Sequence, residues 1–273
     1  MTYLHYFGLK QDPFGKQSQE WLDYPQYDQL VPHLRWLLET KGVGMITGEA
    51  GIGKTSAVRQ WVKSLNPLTH RVLYQADNHF QAFDIYLQLA DSLGLGVYHR
   101  YSKLWRSLKQ ELLQLSEEKK VTPIWILDEA QQLPFNFFTE LPSFLNFSFD
   151  TREVMIILLI GCSPLPHTLQ RSVCASLASR IQFQFEWKPL DNFELFSQFV
   201  DKGFKAAGCH QSILSQSAVK LLHMASKGRV RYVDKIVTKS LQIATEKNVN
   251  HLPDEIVQES IRQIRQLQML ADR

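Results

Sequence analysis

The chain has 273 residues, of which 44% are hydrophobic, and its formal net charge is +3 at pH 7. This length exceeds one average domain but not two large ones, which fits a core domain with a smaller appendage. The longest apolar run, residues 154–160, has seven residues, whereas a helix that crosses a bilayer needs about 20. The opening residues also lack the pattern of an export signal. We therefore expect a cytoplasmic protein with no membrane partner.

The cysteines argue against a metal site, whereas the basic residues leave open a site for a polyanion. Cys162, Cys174 and Cys209 form no CxxC pair, and His210 has no partner at zinc-ligand spacing. We therefore expect ordinary thiols rather than a metal site. Residues 202–239 contain eight Lys or Arg and a single acid. Such a run is compatible with a polyanionic partner and equally with a solvated helical face.

From residue 43 to about 190, short apolar runs alternate with helical patterns. Strands are predicted at 43–47, 71–76, 123–127, 154–161 and 181–185, and helices at 54–65, 82–93 and 104–115. Several of these runs are too continuous for a sheet with one wet face, so the strands should be parallel and covered by helices on both sides. The sequence thus predicts a three-layer α/β core with a parallel sheet.

Beyond Pro189 the pattern becomes purely helical. Helices are predicted at 193–207, 215–226, 231–246 and 253–270. Asp191 precedes the first of them, and Ser215 is placed to cap the second. We expect two domains, an α/β core with the N-terminal segment over residues 1–190 and an all-helical domain over residues 191–273.

Residues 48–55, GEAGIGKT, fit the pattern GxxxxGK[ST] directly after a predicted strand and directly before a helix. Glycines in this register let backbone N–H groups form an anion-binding nest at a helix N-terminus. Lys54 would reach the terminal phosphates, and the Thr55 hydroxyl would bind Mg²⁺. The motif predicts a site for ATP and Mg²⁺ formed by Gly48, Glu49, Ala50, Gly51, Ile52, Gly53, Lys54, Thr55 and Ser56.

Residues 124–129, IWILDE, are an apolar strand that ends in two acids, which is the Walker B pattern. At the carboxyl end of a parallel strand, Asp128 would hold the Mg²⁺ opposite Thr55. The adjacent Glu129 would polarise the water that attacks the terminal phosphate. Together with the P-loop, the paired acids predict an ATPase.

The P-loop, the paired acids, a further strand and an all-helical C-terminal part together resemble the AAA+ ATPases. The resemblance implies a polar sensor 1 residue after the strand at 154–161, for which hydrogen-bonding capacity favours Ser163 over Cys162. Residues 177–183, LASRIQF, resemble the arginine-finger box of oligomeric members. Arg180 would then contact the ATP of a neighbouring subunit, and Arg171 is the second candidate. A structural salt bridge is the alternative role for Arg180.

The start of the predicted helix at 231–246 resembles the sensor 2 region of the same ATPases. The segment 228–231, GRVR, offers two cations there. We expect Arg231, rather than Arg229, to be the residue that senses the phosphates. The implied fold is a P-loop NTPase of the AAA+ type with a helical lid.

Residues 6–15, YFGLKQDPFG, and the segment that leads to the P-loop resemble the ExeA-type group. Its ATPase domain is similar to the transposition ATPases TnsC, TniB, MuB and IstB. The resemblance implies a protein that assembles with ATP on duplex DNA as a ring or helical filament, recruits a transposase or other transposition protein, and is disassembled by hydrolysis. Secretion or cell-envelope assembly and replication initiation or helicase loading are the alternatives. Secretion members typically continue into a membrane span, so we expect the transposition role.

Contacts to DNA should combine cations with short polar donors, because affinity without sequence preference comes from phosphates. The segment 99–103, HRYSK, lies between two helical patterns and has this composition. The DNA contacts we expect are Arg100, Ser102, Lys103 and, one turn later, Arg106. A solvated loop at a helix start is the alternative explanation.

Overall fold

A computed structural model describes residues 2–15, 24–76 and 81–271 of the chain. Internal contacts divide the chain into two compact units. The sheet unit comprises residues 28–50 and 54–187, and the helical unit comprises 1–27, 51–53 and 188–273. The sheet unit ends at Trp187, close to the boundary at residue 190 that we expected. The N-terminal segment, however, groups with the helices and not with the core as we expected.

Within the described residues, five parallel strands form one sheet in the order β2-β3-β4-β1-β5. The strands are β1 (Gly42–Thr47), β2 (His70–Gln75), β3 (Thr122–Leu127), β4 (Ile156–Gly161) and β5 (Ile181–Glu186). Every residue of the central strands β1 and β4 is buried, as expected for strands covered on both faces. The edge strands β2 and β5 are only partly buried. The predicted parallel α/β sheet is confirmed.

The helices of the described residues follow the predicted pattern closely where a pattern was found. They are α1 (Tyr3–Tyr6), α2 (Pro25–Thr40), α3 (Lys54–Ser64), α4 (Ala82–Ser92), α5 (Tyr101–Leu113), α6 (Phe135–Leu145), α7 (Pro164–Leu169), α8 (Ala175–Ala178), α9 (Phe193–Ala206), α10 (Gln216–Ser226), α11 (Val230–Glu246) and α12 (Asp254–Ala271). Among them, none combines the length and the apolar content that a membrane crossing requires.

The N-terminal segment packs within the helical unit through an aromatic contact. The Phe14 ring stacks on Phe199 of α9 with centroids 5.3 Å apart and meets Phe204 edge-on at 5.9 Å. The backbone N–H of Lys10 also donates to the carbonyl of Ala207 at 2.8 Å. Aromatic pairs of this kind contribute about 0.5–1.5 kcal/mol beyond their buried area. These contacts are why the segment belongs with α9 rather than with the sheet.

Side-chain caps fix the starts of two helices in the helical unit. The Ser215 hydroxyl accepts from the backbone N–H of Ala218 at 2.9 Å, as predicted for the start of α10. Helix α9 is capped by Asn192, whose side-chain oxygen accepts from the N–H of Leu195 at 3.0 Å. Asp191 precedes this cap by one residue, and α9 begins at Phe193 as predicted.

Candidate nucleotide site

The P-loop runs from the end of β1 to the start of α3, as the motif predicted. Gly48, Gly51 and Gly53 all have positive φ angles, of 149°, 77° and 106°. Such conformations cost glycine little and let successive N–H groups turn towards one concave side. Ile52 is fully buried, whereas Glu49, Ala50 and Ser56 are exposed. The loop therefore has the backbone form of an anion nest.

Lys54 is 8% exposed, and its ammonium group lies inside the loop. Its Nζ donates to the carbonyl oxygens of Gly48 and Glu49 at 2.9 and 2.7 Å, and lies 3.9 Å from Cys162 Sγ. A buried ammonium is costly unless hydrogen bonds compensate it. The loop carbonyls thus hold the cation at the place where the motif positions phosphate.

Asp128 is 5% exposed at the end of β3 and gathers three donors. Its Oδ2 accepts from the Thr55 hydroxyl at 2.8 Å and from the Tyr74 hydroxyl at 2.9 Å. Its Oδ1 accepts from the backbone N–H of Glu129 at 2.9 Å. Thr55 and Asp128 therefore present neighbouring oxygens, the ligand type that Mg²⁺ prefers. The two residues fit the predicted metal site.

Tyr74, on the edge strand β2, is a contact of Asp128 that sequence patterns did not reveal. Partial burial raises the pKa of its hydroxyl, and the charge of the nearby Asp128 carboxylate raises this pKa further. The hydroxyl therefore remains protonated and acts as a donor at neutral pH. No feature of residues 71–76 marks this tyrosine as functional, because tyrosine is common in β-strands.

Glu129 stands in an uncommon backbone conformation directly after β3. Its φ and ψ are 51° and 39°, in the left-handed region, and it precedes a short 3₁₀ helix, Ala130–Gln132. Gln131 Nε2 donates to Glu129 Oε2 at 2.7 Å, and the backbone N–H of Cys162 donates to Gln131 Oε1 at 3.0 Å. Sequence analysis overlooked Gln131, whose only signal is its place two residues after the paired acids.

The end of β4 bears on the choice between Cys162 and Ser163 as the sensor 1 residue. Cys162 directly follows the strand, and its thiol is the group beside the Lys54 ammonium. Ser163 is exposed and has helical dihedrals as the residue that precedes α7. Because the chain already turns into α7 at this point, the hydroxyl is not the group placed at the lysine. The structure favours the alternative, Cys162.

In the helical unit, Arg231 lies against the middle of the P-loop. Its backbone N–H donates to the carbonyl of Gly51 at 2.9 Å. A Cβ added to Gly51 would lie 2.7 Å from the Cβ of Arg231, so this approach requires glycine. Arg229 is the residue that directly precedes α11. The contact supports the choice of Arg231, whose side chain is exposed.

Arg180 lies where the parallel strands begin, whereas the P-loop of its own chain lies where they end. It directly precedes β5, whose Ile181 pairs with Val43 near the start of β1. Its guanidinium contacts the Glu153 carboxylate at 3.5 Å, with side-chain exposures of 17% and 36%. The remaining length of β1 spans roughly 15 Å at the rise of a strand. Arg180 is therefore too far from its own P-loop to contact a phosphate bound there.

The second arginine-finger candidate, Arg171, has a different environment. It is exposed, and its guanidinium carbon lies 4.5 Å from the centre of the Phe135 ring. This is a cation–π contact of the kind that arginine forms readily at surfaces. It holds Arg171 on the helix α6 of its own chain.

The expected DNA contacts form an exposed basic patch at the start of α5. Arg100 precedes the helix, and Ser102, Lys103 and Arg106 are all exposed on it. The opposite face of α5 is buried through Leu104, Leu108 and Leu112. In the described part of the chain, no ion pair neutralises Arg100, Lys103 or Arg106. The patch is thus available to an anionic partner.

Comparisons with known proteins agree with this geometry. Residues 37–169 match the family described as AAA domain. The crystal structure of Cdc6p from Pyrobaculum aerophilum is similar, with a TM-score of 0.74 over 91% of this chain and 69% of its own, at 17% identity. The ORC1 protein of Aeropyrum pernix, in complex with DNA, has a TM-score of 0.70 over 96% of this chain and 69% of its own, at 14% identity. The chain has an AAA+ P-loop fold.

General secretion pathway protein A of Aeromonas hydrophila is 26% identical over 244 residues, which are 88% of this chain and 44% of that protein. The chain thus spans less than half the length of this curated relative. The match agrees with the predicted resemblance to the ExeA-type group. None of these three proteins is named as a transposition protein, and the curated one is named for secretion, which the sequence left open as an alternative. Together, the matches support the AAA+ fold, which implies nucleotide binding.

Proposed function

We propose that the chain is a Mg²⁺-dependent ATPase. The observation that carries this proposal is the 2.8 Å contact between the Thr55 hydroxyl and Asp128 Oδ2, with the buried Lys54 ammonium in the adjoining P-loop. Burying a lysine and an aspartate at neighbouring positions costs free energy, and it is not expected in a strand–turn–helix connection that binds no nucleotide.

Each group has a separate task in this proposal. The P-loop N–H groups and Lys54 bind the phosphates, while Thr55 and Asp128 hold Mg²⁺, which neutralises charge on the phosphate oxygens. Glu129 orients the attacking water and accepts its proton. Cys162 and Arg231 would each sense the terminal phosphate, the first from its position beside Lys54 and the second from its contact with Gly51.

Arg180 is proposed to act on the ATP of a neighbouring subunit. Its position at the N-terminal edge of the sheet, beside Glu153, supports action in trans because its own P-loop is at the far edge. A planar guanidinium suits the charge that spreads over a phosphoryl group in transfer. ATP would then be hydrolysed only in an assembly, ring or filament, of several copies.

The proposal is tested by phosphate release from purified protein over a range of concentrations, with Mg²⁺ and with EDTA. We expect a rate per subunit that rises with concentration and needs Mg²⁺. Lys54→Ala should lose affinity for a fluorescent ATP analogue, because the lysine provides the positive charge at the phosphates. Wild-type affinity in this variant would contradict the assignment of the P-loop.

For the partner of the ATPase, we propose duplex DNA. The support is the exposed cluster of Arg100, Lys103 and Arg106, together with a similar fold in the DNA-bound ORC1 protein. Loading of a helicase and recruitment of a transposase are two uses of such a DNA-bound assembly. The second candidate is assembly of a secretion apparatus, which the 26% identity to general secretion pathway protein A favours.

Fluorescence anisotropy with labelled duplex DNA and a non-hydrolysable ATP analogue separates the two candidates. Binding to DNA should weaken steeply as salt rises, because cations on the protein release counterions from the phosphates. Replacing Arg100, Lys103 and Arg106 together by glutamine should flatten the salt dependence. The matched control replaces three other exposed cations, Arg35, Lys63 and Lys120, by glutamine. Equal effects of the two triple variants, or no binding at low salt, would favour the secretion candidate.

A further inference from the structure

Gln131 joins two parts of the nucleotide site through a single side chain. One end of its amide donates to the Glu129 carboxylate at 2.7 Å, and the other accepts from the backbone N–H of Cys162 at 3.0 Å. The end of β4 is shaped for this contact: a Cβ on Gly161 would lie 2.9 Å from Gln131 Oε1 and 2.8 Å from Leu165 Cδ2. The amide thus fills a space that a larger residue at 161 would close.

The two contacts require both halves of an amide. The Glu129 carboxylate only accepts hydrogen bonds, and the Cys162 N–H only donates, so the bridging group must donate at one end and accept at the other. An ionised carboxylate lacks the donor, and an ammonium or an apolar group lacks the acceptor. The orientation of the Gln131 amide is therefore fixed by its partners.

The backbone of Glu129 is organised towards the same bridge. Its left-handed φ of 51° is strained for a residue with a side chain, and strain of this kind persists where the surroundings over-determine it. The Glu129 N–H donates to Asp128 Oδ1 at 2.9 Å, and its carbonyl accepts from the N–H of Gln132 at 2.9 Å. The residue is thus held from both sides while its carboxylate meets Gln131.

We propose that Gln131 is a positioning residue for ATP hydrolysis, which fixes the Glu129 carboxylate relative to the end of β4. The inference rests on the proposed ATPase function. The Cys162 thiol lies 3.9 Å from the Lys54 ammonium, so the bridge ties the base to the segment beside the phosphate-binding lysine. A misplacement of about 1 Å at a reacting group costs on the order of 10² in rate. Loss of the bridge should therefore lower kcat and leave ATP binding intact.

The first test replaces Gln131 by methionine, which keeps the length of the side chain and removes both hydrogen bonds. We expect kcat to fall about 10- to 100-fold, with KM for ATP and the affinity for a fluorescent ATP analogue within about twofold of wild type. The matched control is Gln132→Met, because Gln132 is exposed on the same short helix. Its kcat should equal that of wild type. An unchanged kcat in Gln131→Met would overturn the inference.

The second test, Gln131→Glu, distinguishes positioning from mere support of the fold. The introduced carboxyl has the donor only while protonated, and glutamic acid ordinarily has a pKa of about 4.3, which the adjacent Glu129 carboxylate would raise. The titratable groups around this point are Asp128, Glu129, Tyr74, Lys54 and Cys162. They are common to the variant and to wild type, so the ratio of the two kcat values isolates the introduced carboxyl and its reciprocal coupling to Glu129.

We expect this ratio to be highest near pH 5.5 and to fall as the pH rises to 8.5. A ratio that does not change with pH would overturn the inference, because it would assign to Gln131 a purely structural role. Failure of the proposed function has a different signature. If wild type releases no phosphate, the ATPase assignment fails and the inference fails with it. If Glu129→Gln releases phosphate at the wild-type rate, the ATPase assignment stands, but Glu129 is not the base and the inference alone fails.

Discussion

The parallel strands of the sheet begin along one border and end along the other, which we call the N-terminal edge and the C-terminal edge. These two borders carry groups with different surroundings. At the C-terminal edge, Lys54 and Asp128 are buried and bonded to groups of their own chain. At the N-terminal edge, Glu153 and Arg180 form a half-exposed ion pair that lies far from the P-loop. The first edge is thus organised to bind a nucleotide within one chain. For the second edge, we propose that Arg180 acts on the nucleotide of another chain.

The largest effect should come from removing the cation at the second edge. Arg180→Ala should lower the ATPase rate by about 10³ or more, as loss of an arginine finger does. Affinity for ATP should remain near wild type, because the P-loop edge of the same chain is untouched. Phosphate release and binding of a fluorescent ATP analogue measure the two quantities. Loss of ATP binding in Arg180→Ala would break the proposed division of labour between the edges.

A mixing experiment sharpens the same comparison. Arg180→Ala and Lys54→Ala should each be inactive alone, for reasons at opposite edges. Mixed together, they should recover part of the activity, because a subunit with an intact P-loop meets a neighbour with an intact Arg180. Inactive mixtures that still co-assemble, as judged by light scattering, would direct attention to Arg171, which now rests on the Phe135 ring.

The next effect belongs to the C-terminal edge. Glu129→Gln should keep ATP binding and lower hydrolysis by about 10²–10⁴, the contribution typical of a positioned proton acceptor. The amide has the shape of the carboxylate but cannot take the proton of the attacking water. Single-turnover hydrolysis with bound ATP isolates this step from assembly. Normal turnover would show that another group activates the water.

The two edges also differ in how well the sequence predicted them. The P-loop and the paired acids were predicted because each needs consecutive residues in a fixed register, and Thr55 and Asp128 meet as expected. Tyr74 and Gln131 were missed because their roles depend on contacts between strands that are distant in sequence. Ser163 was preferred on hydrogen-bonding capacity alone, yet the turn into α7 determines which side chain reaches Lys54.

The prediction of the fold was limited in the same way, because contacts between distant segments were not predicted. Periodicity predicted the strands and most helices, since burial on both faces leaves continuous apolar runs. It did not show that the N-terminal segment belongs with the helical unit, because that assignment depends on Phe14 meeting Phe199 and Phe204. A structural salt bridge of Arg180 was considered from the sequence, but its partner Glu153 was not identified, because the two residues are 27 positions apart.

The smallest effect concerns Glu153, the residue that holds Arg180 within its own chain. An exposed ion pair contributes about 0.2–1 kcal/mol, which corresponds to roughly 1.4- to 5-fold at 1.36 kcal/mol for each tenfold. Because this pair competes with the phosphate of a neighbour for the same guanidinium, Glu153→Gln should raise the ATPase rate of the assembly by that factor. The gain should vanish in high salt, which screens the pair in wild type as well.

The matched control for this prediction is Glu117→Gln. Glu117 pairs with Arg152 at 2.7 Å and lies in the π-helix Gln114–Glu118, which precedes β3 at the same edge of the sheet. The control therefore removes one carboxylate charge from the same edge without freeing Arg180, and it should leave the rate unchanged. If both variants accelerate hydrolysis, the cause is the general charge of the edge. If Glu153→Gln instead slows hydrolysis, Glu153 aims Arg180 at the neighbour, and the ion pair is part of the assembled site rather than a competitor of it.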